Sequence, residues 1–214
     1  MTTTTLLPAD ARLRARAAVA VAAVGPLAVA ALRGLLPYDT VDDNATIVAK
    51  VAAHPGAETA VLWLSGLALV TLPLAVLVVN GAAMRARPVL GTVAAVIAWV
   101  GFSGLAYLVT QDQVARAGFA AGLPTDATAA LMSAIDQSAL ASTATALFVT
   151  GHILGVVLLG LALWRVMPRW AALALIVSQP FHFVVAVIVP NHALDALAWV
   201  LTAVGFSAAA AVRR

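Results

Sequence analysis

The stretch Thr59–Asn80, TAVLWLSGLALVTLPLAVLVVN, decides the fold class, because its 22 residues carry no charge. At ~1.5 Å per residue, a helix of that length crosses the ~30 Å hydrocarbon core of a bilayer. A helix pairs its backbone amides within its own segment, which hydrocarbon demands, so the stretch reads as a transmembrane helix. Outward from it, five more stretches share its character: Ala17–Leu36, Pro88–Thr110, Ser138–Trp164, Trp170–Pro190 and Ala193–Val212. The expected fold is all-α, a polytopic membrane helical bundle of six transmembrane helices, with residues 1–214 as one integral membrane domain. A composition of 63% hydrophobic and 10% charged residues excludes an ordinary soluble domain.

The basic residues orient the bundle. Arg12, Arg14, Arg16, Arg85, Arg87, Arg165, Arg169, Arg213 and Arg214 fall on one side of a six-span chain, and only Arg33, Lys50 and Arg116 on the other. The positive-inside rule makes the first side cytoplasmic, with both termini inside. Arginine accounts for eleven of the twelve basic residues, and alanine and valine dominate, a coding bias expected of a bacterial plasma membrane protein. The basic residues flank spans, so membrane lipid is the expected partner and nucleic acid is not. The first span begins Arg-rich like a signal peptide, but its apolar run exceeds the usual ~7–15 residues and is expected to be retained, kinked at Gly25-Pro26. Without cysteine there is no disulfide, thiol nucleophile or thiolate metal site. No cofactor or metal motif stands out.

The turns Asn80–Arg87 and Arg165–Arg169 join antiparallel neighbours. The longer outer connections each predict a short interfacial helix. Asp43 or Asn44 can cap one, with Ile47, Val48 and Val51 on one face and His54-Pro55-Gly56 as its end. The other starts at Leu123-Pro124-Thr125-Asp126 and turns Leu131, Met132 and Ile135 inward. Gly101, Gly104, Gly151, Gly155 and Gly160 allow helices to approach closely.

Polar side chains inside the spans are the functional candidates. His152 lies 13 residues before Arg165 and His182 13 residues after Arg169, so antiparallel neighbours bring both imidazoles to similar depth. Ionisable groups at that depth mark proton pathways or substrate sites, although a neutral histidine also serves as interhelical glue. At the outer mouth, His54 and Glu58 are four residues apart, and His192 and Asp195 three apart, so each pair shares a face of a helix that includes both. Glu58 and Asp195 suit acid–base chemistry; as plainer parts they complement helix N-termini, the reading preferred for Asp136. Trp164 and Trp170 flank an inner turn as interface anchors. Trp63, Trp99, Phe102, Tyr107, Phe181, Phe183 and Trp199 lie within spans. Where they face the bundle axis they line an apolar, π-rich cavity able to stabilise a cation.

The small size, the all-helical membrane build, an acid near the second span (Glu58) and another in the last (Asp195) resemble the small membrane-bound terpene cyclases of meroterpenoid and indole-sesquiterpenoid pathways. The resemblance covers topology and these two acids. It implies an enzyme acting on a lipophilic substrate by metal-independent, proton-initiated cyclisation of an isoprenoid. Glu58 and Asp195 are then the acid–base pair, the aromatics shield the carbocation, and His54, His152, His182 and His192 modulate or relay protons. The chain also resembles uncharacterised six-span bacterial membrane proteins with an Asn-Ala-Thr-Ile-Val-Ala-Lys outer helix, which implies fold alone. Two other functions fit the same residues: a transporter, channel or accessory protein using the intramembrane histidines and acidic mouth, and a haem- or quinone-linked electron carrier on His152 and His182.

Overall fold

The computed structural model describes residues 9–212. Among the described residues the helices are α1 (Ala9–Leu35), α2 (Asn44–Ala53), α3 (Pro55–Ala86), α4 (Pro88–Ser103), α5 (Leu105–Ala120), α6 (Thr125–Asp136), α7 (Ala139–Leu163), α8 (Arg169–Phe183) and α9 (His192–Ala211). A π turn, Val184–Ile188, extends α8. No strand is present among the described residues. Six segments are long and apolar enough to span a bilayer: α1, α3, α4 with α5, α7, α8 with its π turn, and α9. Arg213 and Arg214, counted above with the basic flank, lie outside the described residues.

The first two spans begin earlier than the sequence reading, at Asp10 and Pro55, and the second and third also end later. The second span runs on to Ala86, since nothing in Gly81–Ala86 stops a helix, and only Arg87 separates it from Pro88. Pro88 sets the break, because proline disfavours the helical conformation of the residue before it. The third span continues past Thr110 to Ala120, as α4 passes into α5 at Gly104. Gln111, Asp112 and Arg116 therefore belong to a span and not to the outer connection.

The six spans form a closed ring in chain order, each packing on the next, and α9 packs back on α1. Lipid tails are as apolar as leucine, so close packing holds such helices together more than water exclusion does. α3 also touches α7 and α9 across the ring, and Leu72, Val76, Leu159 and Phe206 fill the interior with no exposed surface. At the α4–α7 contact, a Cβ on Gly151 would stand 2.7 Å from Gly101 Cα. α1 runs through Pro26 as one helix, and a Cβ on Gly25 would stand 2.8 Å from Leu72 N on α3.

The short helices α2 and α6 pack on each other and on α5 at the end of the ring away from the start of α1. Asp43 caps α2, accepting from Thr46 N at 2.7 Å, and Lys50 holds Asp42 at 2.6 Å. Val48 and Val51 of α2 are buried as the pattern predicts. On α6 the buried line is Thr128, Ala129 and Met132, while Leu131 is 49% exposed. One helical step of about 100° separates Met132 from Leu131, enough to take the latter off the inner face.

Candidate functional site

At the end of the ring that carries α2 and α6, helices α1, α3, α5, α8 and α9 bring ionisable side chains together inside the ring. Arg33 stands in the last turn of α1 and Asp195 in the first turn of α9. Asn191 starts α9, accepting from Leu194 N at 3.0 Å, which fixes the direction of that turn. Arg33 Nε donates to Asp195 Oδ2, and both side chains are buried. The other oxygen of Asp195 accepts from His182 Nδ1 at 2.5 Å. Trp199 Nε1 lies 3.2 Å from that same nitrogen. One ring nitrogen cannot both donate and accept. The carboxylate paired with arginine is the stronger partner, so Nδ1 carries the hydrogen and Nε2 keeps its lone pair.

Below this triad lies an aromatic cluster. His152 stacks on Phe148, with ring centroids 4.4 Å apart, and lies 5.5 Å from His182. Trp199 stacks 6.0 Å from His152, and Phe102 lies 6.3 Å from Trp199. His152 Nδ1 donates to the carbonyl of Phe148, one turn back, so its Nε2 is a bare acceptor, buried without a partner among the described residues. Trp199 packs against both imidazoles and Phe102 against that of His152. Next to the cluster, Gln179 Nε2 donates to Thr202 Oγ1 at 2.6 Å, and Thr202 to Ser178 Oγ at 2.9 Å, fastening α8 to α9.

Glu58 enters from the first turn of α3. It is wholly buried, and neither carboxyl oxygen has a hydrogen-bond partner among the described residues. Buried polar groups are ordinarily paired, and an unpartnered charge in such surroundings is costly. Tyr38, in the loop after α1, donates its hydroxyl to Asp112 of α5. Burial pushes the Tyr38 phenol well above its usual range; the Asp112 carboxylate and, more weakly, that of Glu58 push it further, while Arg33 opposes them. Glu58, Asp112, Tyr38 and Arg33 thus share one electrostatic neighbourhood, joined through Arg33 to Asp195 and His182.

The structure sorts the sequence candidates into two groups. Glu58, Asp195, His152, Phe102 and Trp199 are buried in the ring, and His182 is largely buried. Trp63 is 78% exposed and Trp99 47%, so both face outward where the bilayer lies. Trp99, Ser103 and Tyr107 do share a face, but that face turns away from the axis, and Tyr107 donates to Asp136 of α6 at 2.8 Å. Asp136 ends α6 and does not begin a helix; it also accepts from Asn44 of α2 at 2.9 Å. Phe181 is half-buried and Phe183 is at the lipid-facing edge. His54 is exposed at the junction of α2 and α3, so it does not share the buried face of Glu58. His192 bonds Asp39 at 2.9 Å, above the site, while Asp195 points inward. Sequence reasoning missed Arg33, Tyr38 and Asp112. Arg33 had one available signal: it is an arginine in the last apolar turn of a span, on the side where arginine is rare.

No family model, curated protein or solved structure shows significant similarity to the chain.

Proposed function

We propose that the protein is an integral membrane enzyme acting on a lipophilic substrate by acid–base chemistry in the outer half of the ring. The observation that carries this reading is the Glu58 carboxyl, buried with both oxygens unpartnered among the described residues, in a ring that also holds a histidine oriented by a carboxylate. A carboxylic acid that keeps its proton in apolar surroundings is a strong donor toward a bound olefin or epoxide. His182 Nε2, set by the Asp195 contact at Nδ1, is the matching base. Asp195 then orients the base instead of donating the proton itself, since Arg33 and His182 engage both its oxygens.

The specific reaction proposed is cyclisation of an isoprenoid, as in the membrane terpene cyclases. The Glu58 O–H adds its proton to one carbon of a C=C bond, leaving a carbocation. A second C=C attacks that cation and closes a ring. His182 Nε2 takes a C–H proton to form the final double bond, so substrate and product are isomers. The faces of Trp199 and Phe102 supply the negative quadrupole that stabilises such a cation.

The test is incubation of detergent-solubilised protein with linear polyprenyl alcohols, their epoxides and prenylated phenols in D2O. Mass spectrometry should find a cyclised isomer carrying one solvent deuteron. Glu58→Gln should lower the rate at least about 100-fold, the low end for a general acid, with the protein still folded. Full activity in both Glu58→Gln and Asp195→Asn would refute the assignment. A second reading, proton relay in a transporter, draws on the 5.5 Å approach of His152 to His182. Proton flux into dye-loaded liposomes, abolished by His152→Ala and without isomerisation of any substrate, would favour it.

A further inference from the structure

At the end of the bundle opposite Glu58, α1, α3 and α9 part around a cavity of about 560 Å³. That lies within the ~300–1,000 Å³ range of small-molecule sites. Its charged lining residues are Asp10, Arg14 and Arg85, and its walls are small and apolar, Ala15, Ala18, Val78 and Ala209 among them. Arg85 Nη1 lies 3.8 Å from where a Cβ on Gly81 would stand, one turn deeper in the span. An arginine at a membrane edge ordinarily extends toward water. This one lies over the preceding turn of its own helix at the cavity rim and stays exposed. Neither Arg14 nor Arg85 has an ion-pair partner among the described residues.

Two guanidinium groups against one carboxylate leave the cavity with a net positive charge. The guanidinium fork matches phosphate oxygens, and basic pockets between transmembrane helices hold anionic headgroups. The alanine and valine wall has no polar group to offer a wholly soluble anion, but it suits the first methylenes of an acyl chain. We propose that this cleft binds an anionic phospholipid from the leaflet on that face. Arg14 and Arg85 hold the headgroup phosphate, and the first methylenes of an acyl chain lie against Ala15, Ala18, Val78 and Ala209.

Native mass spectrometry of the full chain tests this, with phosphatidylglycerol and phosphatidylcholine offered in equal amounts. The wild type should retain phosphatidylglycerol preferentially. Each arginine should contribute roughly fivefold, so Arg14→Gln with Arg85→Gln should lose at least about tenfold in preference. Arg165→Gln with Arg169→Gln removes two arginines from the same face but outside the cavity and should keep the preference. Equal loss in that control pair, or no preference in the wild type, would overturn the proposal. Displacement of the lipid by millimolar inorganic phosphate would overturn it too, by marking the site as one for a soluble anion.

Discussion

Tyr38 offers a direct reading of how closed the outer site is. Burial, the Asp112 carboxylate and Glu58 all push its phenol upward, against Arg33. A raised folded value means that the native state holds the proton longer than the unfolded chain. The associated stability is fully present below the unfolded phenol value of ~10 and is lost as pH rises beyond it. Tyrosinate absorbance should therefore show Tyr38 ionising only well above that value, together with alkaline unfolding. Tyr38→Phe should remove that late step. Ionisation of Tyr38 in the ordinary phenol range in a folded protein would show the site open to water. How much of this site was legible follows from the same residues. Glu58, His152, His182 and Asp195 stood out because ionisable groups in apolar spans are conspicuous one at a time. Their partners did not, since Arg33 and Asp195 are 162 residues apart and no periodic pattern says which helices meet. Aromatics gave the opposite difficulty: Trp63 facing lipid and Trp199 in the core look alike in a sequence that is apolar on every face.

At the scale of the helix, close approach decides which pairs hold. A Cβ on Gly155 of α7 would collide with the backbone and Cβ of Ala98 on α4, whereas one on Gly66 of α3 meets nothing within 4 Å. Gly155→Ala should destabilise by about 1–3 kcal/mol through overpacking, lowering the thermal midpoint in detergent. Gly66→Ala should leave the midpoint unchanged or raise it, because alanine is the better helix former. Equal effects from the two would mean that glycine content, and not the α4–α7 contact, governs stability. The elements themselves were the most legible part of the chain. Six spans and two outer helices follow from length, apolarity and capping residues such as Asp43. Their ends were less so: the third span keeps going through Gln111, Asp112 and Arg116, whose side chains find partners in Asp136, Tyr38 and Thr59. Tertiary partners, invisible in a local window, make that extension affordable.

For the molecule as a whole, the decisive contact is the one that closes the ring. Five of the six neighbour relations join consecutive spans, which their connections bring together in any case. The sixth joins first to last, α1 to α9, and no connection enforces it. Arg33–Asp195 lies within that seam, buried, with His182 tying α8 to the same carboxylate. A buried ion pair adds little over apolar residues of the same size, because desolvation offsets its attraction, yet removing one partner strands the other charge. Arg33→Met should therefore cost about 3–5 kcal/mol, leaving Asp195 with only the imidazole. Arg33→Met combined with Asp195→Leu should recover most of that loss, since the seam would then close on packing alone. The double-mutant cycle, read from thermal midpoints in detergent, measures this as a coupling of opposite sign to the single losses. Recovery would assign the pair to specificity and chemistry: α1 and α9 would stay together without it, while activity through His182 would be gone. A double variant as unstable as either single one would instead make the ion pair the latch of the ring. The chemistry proposed for His182 would then rest on a carboxylate already committed to holding the bundle shut.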